Sequence, residues 1–250
     1  MNSSTHKLIN SQTHELINSQ THMQTLLTFL QTLDTNATLF INGMHCSYLD
    51  NFMMIYTGRF IWIPLYLSLF IVMMRNFPWR VNVACLAVTI LLVAVNDQVS
   101  SSLIRPFIGR LRPSNPMNPI SAFIHVVDGY RGGRYGFPSA HAANCFGTAV
   151  FVYYVFRRSV LSKVFAAWAI LMCYSRVYLG VHYVGDVLLG CLVGWINATI
   201  IYAFFRWSMR KTTETFKPHP NCCKLYTPSM VCGIELATIL ILATFTIFKF

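Results

Sequence analysis

The sequence predicts an all-α protein: a polytopic membrane bundle of six transmembrane helices, preceded by an interfacial N-terminal helix. Three observations carry this. Of 250 residues, 55% are hydrophobic and 11% charged, with a mean hydropathy of +0.50, whereas soluble domains carry roughly 25% charge. Apolar runs approaching the ~20 residues needed to cross hydrocarbon recur along the chain. The composition also excludes disorder, collagen and a coiled coil. The formal charge of +11, from 19 Lys+Arg against 8 Asp+Glu, would elsewhere suggest nucleic acid. Charge this scarce points instead to membrane lipids and an anionic lipid head group, and no nucleic-acid partner is expected.

Residues 1–22 hold a repeat, HKLINSQT from His6 and HELINSQT from His14. Two copies at period eight match no solenoid and build no core. They read as a disordered tail, with Met23 a natural initiator and 23–250 a single integral-membrane domain. From Met23 to about Phe40 the chain is amphipathic but too interrupted to span, which fits a helix lying on the membrane. The six spanning segments then run from Phe52 or Phe60 to Met74, Val81 to Ser100, Ala142 to Phe156, Val160 to Tyr174, Val184 to Phe205 and Met230 to Phe248. Cys85, Cys145, Cys173, Cys191 and Cys232 lie inside apolar runs, where Cys behaves as a small hydrophobe. Without a CxxC pair, no zinc site is expected.

The longest polar interruption, Ser101 to Ser139, contains Arg105, Arg110, Arg112, Arg131 and Arg134. A loop of that length is usually functional. It opens the first of three clusters. Residues seven apart lie on nearly one helical face, so Arg105 and Arg112 could converge on one anion. Taken alone, the stretch also reads as a basic loop binding lipid head groups. The second cluster, Gly136-Phe137-Pro138-Ser139-Ala140-His141, precedes an apolar helix. Ser139 is a good N-cap, and a helix N-terminus attracts anions; simple capping beside an interfacial His is the alternative. The third runs Ser175-Arg176 through His182 to Asp186. Four residues apart on a helix, His182 and Asp186 would share a face, the carboxylate holding one imidazole nitrogen protonated. A carboxylate beginning an apolar span is a functional candidate.

Counting spans in order puts all three clusters on one membrane face. Arginines bind phosphate bidentately and stay charged, and phosphoryl transfer depends on positioning and positive charge. No two-metal carboxylate cluster is evident, so attack by His, followed by hydrolysis of a phospho-His, is the chemistry that fits.

The clusters resemble the signature of the type-2 phosphatidic acid phosphatase superfamily, which includes vanadium-dependent haloperoxidases: K-x6-RP, PSGH and SR-x5-H-x3-D. This chain reads Arg105-x6-Arg112-Pro113, Pro138-Ser139-Ala140-His141 and Ser175-Arg176-x5-His182-x3-Asp186. Arg105 replaces Lys, keeping charge but changing reach, and Ala140 replaces Gly. The resemblance implies His182 as nucleophile, Asp186 as its orienting partner and His141 as proton donor to the leaving group. Arg105, Arg112, Ser139, Ala140 and Arg176 would cradle the phosphate, with no metal and no cofactor. Arg110, Arg131 and Arg134 fall outside the signature and would touch the lipid head group.

On the opposite face lie Arg75, Arg80, Arg157, Arg158, Lys163, Arg206, Arg210, Lys211, Lys217 and Lys224. The positive-inside rule makes that face cytoplasmic. The site would then open to the periplasm from a bacterial inner membrane. The substrate expected is an anionic lipid phosphate, and the resemblance leans to lipid A phosphatases, cleaving at the 1- or 4'-position. Undecaprenyl-diphosphate, phosphatidic acid or phosphatidylglycerol-phosphate phosphatases are alternatives, and a non-enzymatic anion-binding transporter is the competitor from another class.

Overall fold

The computed structural model describes residues 3–58, 60–157, 160–210 and 227–248. Arg158, Lys211, Lys217 and Lys224, which enter the charge reading above, lie outside them. The described residues are helical, with an isolated bridge between Leu111 and Tyr135 as their sole β-type pairing. The helices are α1 (Ser3–Gly43), α2 (Ser47–Tyr56), α3 (Ile63–Asn76), α4 (Trp79–Asp97), α5 (Arg105–Ile108), α6 (Ala140–Phe156), α7 (Val160–Tyr178), α8 (Val184–Met209) and α9 (Thr227–Phe248).

Each predicted apolar segment falls in a helix. Among the described residues, three helices are long and apolar enough to cross a membrane: Trp79–Ile108, Val160–Tyr178 and Val184–Met209. The pair Ser47–Tyr56 and Phe60–Arg75, bent by 71°, makes a fourth if counted as one span. The six-span reading is thus reproduced only in part. The reason is visible in α6, whose 17 residues are short for a span, and in α9, where the apolar stretch Gly233–Thr246 is shorter still.

Small residues put α6 in the middle of the bundle. Ala142, Ala143, Gly147 and Ala149 are buried, and α6 packs against α4, α7 and α8. On α8, Gly190 and Gly194 form a small-xxx-small stripe. A Cβ at Gly190 would meet the Ser139 carbonyl oxygen, and one at Gly194 the Ala143 carbonyl oxygen. The backbones of α6 and α8 therefore approach too closely for any side chain there. Asn96 of α4 joins the contact by donating to the Ala143 carbonyl at 2.9 Å. The opposite sides of the helices carry Ile90, Ile170, Leu188, Ile200 and Phe204, all exposed, as lipid-facing residues are. Trp79 and Trp207 are exposed beside Arg80 and Arg206, the pattern of an interfacial aromatic belt.

The N-terminal segment differs from expectation. Residues 3–22, read from sequence as a disordered tail, are helical and continuous with the amphipathic stretch after Met23 in one 41-residue helix. Its last turns dock on α7 and α8. Asp34 accepts from the Gly185 N–H at 2.7 Å, and Thr38 Oγ1 from the Val184 N–H at 3.1 Å. Two of the orphan donors at the start of α8 are thereby satisfied.

Candidate active site

Arg105 and Arg112 do not share a helix. After α4, a π-helical stretch Gln98–Ile104 leads into α5, which stops at Ile108 because Gly109 adopts φ 62°, the left-handed terminator. The chain then turns back in extended form, and Leu111 bridges to Tyr135. Convergence of the two arginines comes from this reversal and not from helical periodicity. Arg105 donates to the Pro138 carbonyl at 3.2 Å. Arg112 is buried and donates through Nε to the Tyr135 carbonyl and through Nη1 to the Val181 carbonyl, both at 3.1 Å.

His182 and Asp186 are likewise not paired along one helix. His182 sits in the turn between α7 and α8, Tyr183 caps α8, and Asp186 is in its first turn. The Asp186 carboxylate folds back to accept the Tyr183 N–H at 3.0 Å, a capping interaction that also turns Oδ2 toward His182 Nδ1, 3.4 Å away. His182 Nε2 stands 3.1 Å from Arg112 Nη1. A guanidinium only donates, so Nε2 accepts and the ring proton resides on Nδ1, facing the carboxylate. The free lone pair is on Nε2, the nitrogen a nucleophile needs. Burial, then the guanidiniums of Arg112, Arg176 and Arg105 and the neighbouring His141, hold His182 well below the ordinary imidazole pKa. It is neutral at neutral pH. Burial and the same arginine neighbours push Arg112 down to about 10, which leaves it charged.

Arg176, near the end of α7, donates to Thr57 Oγ1 at 2.6 Å and to the Tyr130 hydroxyl at 3.2 Å. The Nε atoms of Arg105 and Arg176 are buried without a hydrogen-bond partner. Leaving a charged donor unsatisfied is costly, and an anion between the two would supply acceptors. Ser139 caps α6, its hydroxyl accepting the Ala142 N–H at 3.3 Å. Ala140, in place of the signature glycine, opens α6 as a helical residue.

A cavity of about 880 Å³ unites these groups. Arg105, Arg112, Ala140, His141, Arg176 and His182 all line it. Ser139 and Asp186, both fully buried, lie behind its wall. The cavity extends past Ile90 and Val93 of α4, which are partly to largely exposed on the lipid-facing side. An apolar tail could thus lie beside a charged head.

The roles of five residues escaped sequence reasoning. Arg110 does not reach outward to a head group: it bridges Asp34 at 2.7 Å and Asp186 Oδ1 at 3.0 Å, stacked 3.6 Å over the Tyr183 ring. Asp34 is one of only eight acids, and that scarcity was the available signal. Thr57 and Tyr130 carried none. Gly136 must be glycine, since a Cβ there would lie 2.8 Å from Asp186 Oδ2 and 3.4 Å from His182 Nδ1.

A family model described as the PAP2 superfamily matches residues 82–210. A lipid A 4'-phosphatase of Bacteroides thetaiotaomicron is 42% identical over 196 residues, covering 78% of this chain and 87% of that protein. One from Porphyromonas gingivalis is 29% identical over 194 residues, covering 77% and 82%. The fold is like that of a transmembrane PAP2-type phosphatidylglycerolphosphate phosphatase from Bacillus subtilis, with a TM-score of 0.54 at 20% identity over 72% of this chain and 88% of that one.

Proposed function

Because the chain belongs to the PAP2 superfamily, we propose that this membrane phosphatase removes the 4'-phosphate of lipid A by way of a phospho-His intermediate. The observation that carries the chemistry is one cavity wall bearing three arginines and two histidines, with the His182 lone pair on Nε2. The lipid assignment comes from the relatives, both lipid A 4'-phosphatases matched over most of their length.

In this reading, Arg112 leaves His182 Nε2 for a phosphate oxygen as substrate enters. Nε2 bonds to phosphorus while the ester P–O bond breaks, and protonated His141 gives its proton to the leaving oxygen. Asp186 steadies the positive charge on the ring, and the 3.4 Å contact shortens as that charge develops. Neutral His141 then takes a proton from water, whose oxygen attacks phosphorus. The N–P bond breaks, and inorganic phosphate and neutral His182 are released. Arg105, Arg112, Arg176 and the α6 N-terminus at Ala140 balance charge on the equatorial oxygens, with Ser139 fixing that terminus. No metal or cofactor has a part.

The same reading places residues 23–250 as one catalytic domain with six spans in a bacterial inner membrane, α1 partly at the interface and the cavity open to the periplasm. Its test is the purified protein in EDTA, assayed on lipid A, undecaprenyl diphosphate, phosphatidic acid and phosphatidylglycerol phosphate. Release from the 4'-position of lipid A, read by mass spectrometry, is expected to dominate and to vanish in His182→Ala and His141→Ala. A strict divalent-cation requirement, or release that survives both substitutions, would defeat the mechanism. Preference for another lipid would defeat the substrate assignment alone.

A further inference from the structure

Outside the catalytic cavity, two segments far apart in sequence meet on its side of the bundle. His45 lies in the connection from α1 to α2, Asp50 in the first turns of α2, and His125 in the long loop after the turn Pro119–Phe123. One ligand atom from each lies within 4.8 Å of the others. His125 Nε2 is 2.8 Å from Asp50 Oδ2, and the His45 and His125 rings stack with centroids 3.8 Å apart. None of the three lines the catalytic cavity.

We propose that His45, Asp50 and His125 form a binding site for a divalent first-row metal ion of the zinc class. Two imidazoles and a carboxylate are the donor set such ions take, with the fourth position left to solvent. Zinc–ligand bonds of ~2.0–2.2 Å put tetrahedral vertices about 3.4 Å apart, so closure needs a rotation of the His45 ring out of its stack on His125, together with a shift on the order of 1 Å. His45 can make it, being exposed on a connecting segment. The other two donors are already held. Asp50 Oδ1 accepts from the Tyr178 hydroxyl at 2.8 Å. Asn42, itself buried, accepts the His125 N–H at 2.8 Å and donates to the His125 carbonyl at 3.0 Å. Such outer partners orient metal ligands.

The bound ion would tie α1, α2 and the long loop together. Five residues beyond His125, that loop delivers Tyr130 to Arg176 in the catalytic cavity. The metal is therefore a staple on the loop that completes the site, not a participant in phosphoryl transfer.

The test uses the full-length protein in detergent, with Cys222→Ser and Cys223→Ser in every sample to remove adventitious thiols, stripped with EDTA and titrated with Zn²⁺. One site per chain is expected, with a raised Tm and slower tryptic cleavage at the exposed Arg131 and Arg134. His45→Ala, which removes an exposed side chain, should weaken that site at least ~100-fold, since even outer-partner losses cost 10–100-fold. The double variant His45→Ala/His125→Ala should abolish it. Unchanged stoichiometry and affinity in His45→Ala, or no zinc uptake by the unsubstituted histidines, would leave only a hydrogen-bonded cluster and overturn the proposal. None of these readouts depends on turnover, so they stand apart from the catalytic reading.

Discussion

Arg110 holds Asp186 by the oxygen His182 does not use, Nη1 to Oδ1 at 3.0 Å. The fully buried carboxylate thus has a cation on one side and the imidazole on the other, with the Tyr183 N–H fixing its angle. Asp34 anchors the same guanidinium from α1 at 2.7 Å. Arg110 is accordingly a positioning residue acting through Asp186.

Arg110→Ala should lower kcat by ~100-fold, the scale of a 1 Å misplacement of a reacting group, with KM little changed. Arg110→Lys should recover part of the loss. Steady-state kinetics on the lipid substrate make the check. A rise in KM alone would return Arg110 to the head-group role its sequence position suggested.

The environment of His182 also sets a pH dependence. The unfolded chain binds the imidazole proton near pH 6.5, whereas the folded site resists it to well below that value. Below about pH 6.5 the unfolded state therefore holds more protons, and stability falls as pH falls. Above it both states are neutral and His182 contributes nothing. The Tm in detergent should drop on acidification through this range, and less steeply in His182→Asn. Equal slopes would show that the buried imidazole is not the group responsible.

How far these relationships could be read from the chain depends on what holds them. Apolar runs located the helices because hydrocarbon length is a one-dimensional constraint. The order of arginines, histidines and Asp186 located the cavity because each cluster abuts a helix end. Geometry within the clusters was not legible. Residue spacing suggested helical faces for Arg105 with Arg112 and for His182 with Asp186, yet a left-handed Gly109 and a capping carboxylate bring them together. Asp34 and His125 act across 151 and 75 residues, separations at which periodicity carries no information.

Ser139 tests capping against ligand binding. Its hydroxyl faces the Ala142 N–H behind the cavity wall. Ser139→Ala should cost about 1 kcal/mol, the worth of an N-cap, or about 2–4 °C in Tm. It should reduce kcat/KM less than tenfold. A loss beyond 100-fold at unchanged Tm would instead put the hydroxyl on the phosphate.

Arginine-to-lysine exchanges should separate the two members of the first cluster. Arg105 makes one hydrogen bond, to the Pro138 carbonyl, and stands where the signature has lysine. A point charge with three donors can replace it. Arg112 spreads its planar fork over the Tyr135 carbonyl, the Val181 carbonyl and His182 Nε2, a pattern an ammonium cannot reproduce. It therefore fixes the turn bearing the nucleophile as well as supplying charge. Arg105→Lys should keep kcat within about tenfold of the parent, and Arg112→Lys should lose at least ~100-fold, comparable to misplacing the reacting group. The comparison requires only the two single variants and one substrate. Equal losses would mean that charge, and not the geometry of the fork, is what the cavity takes from Arg112.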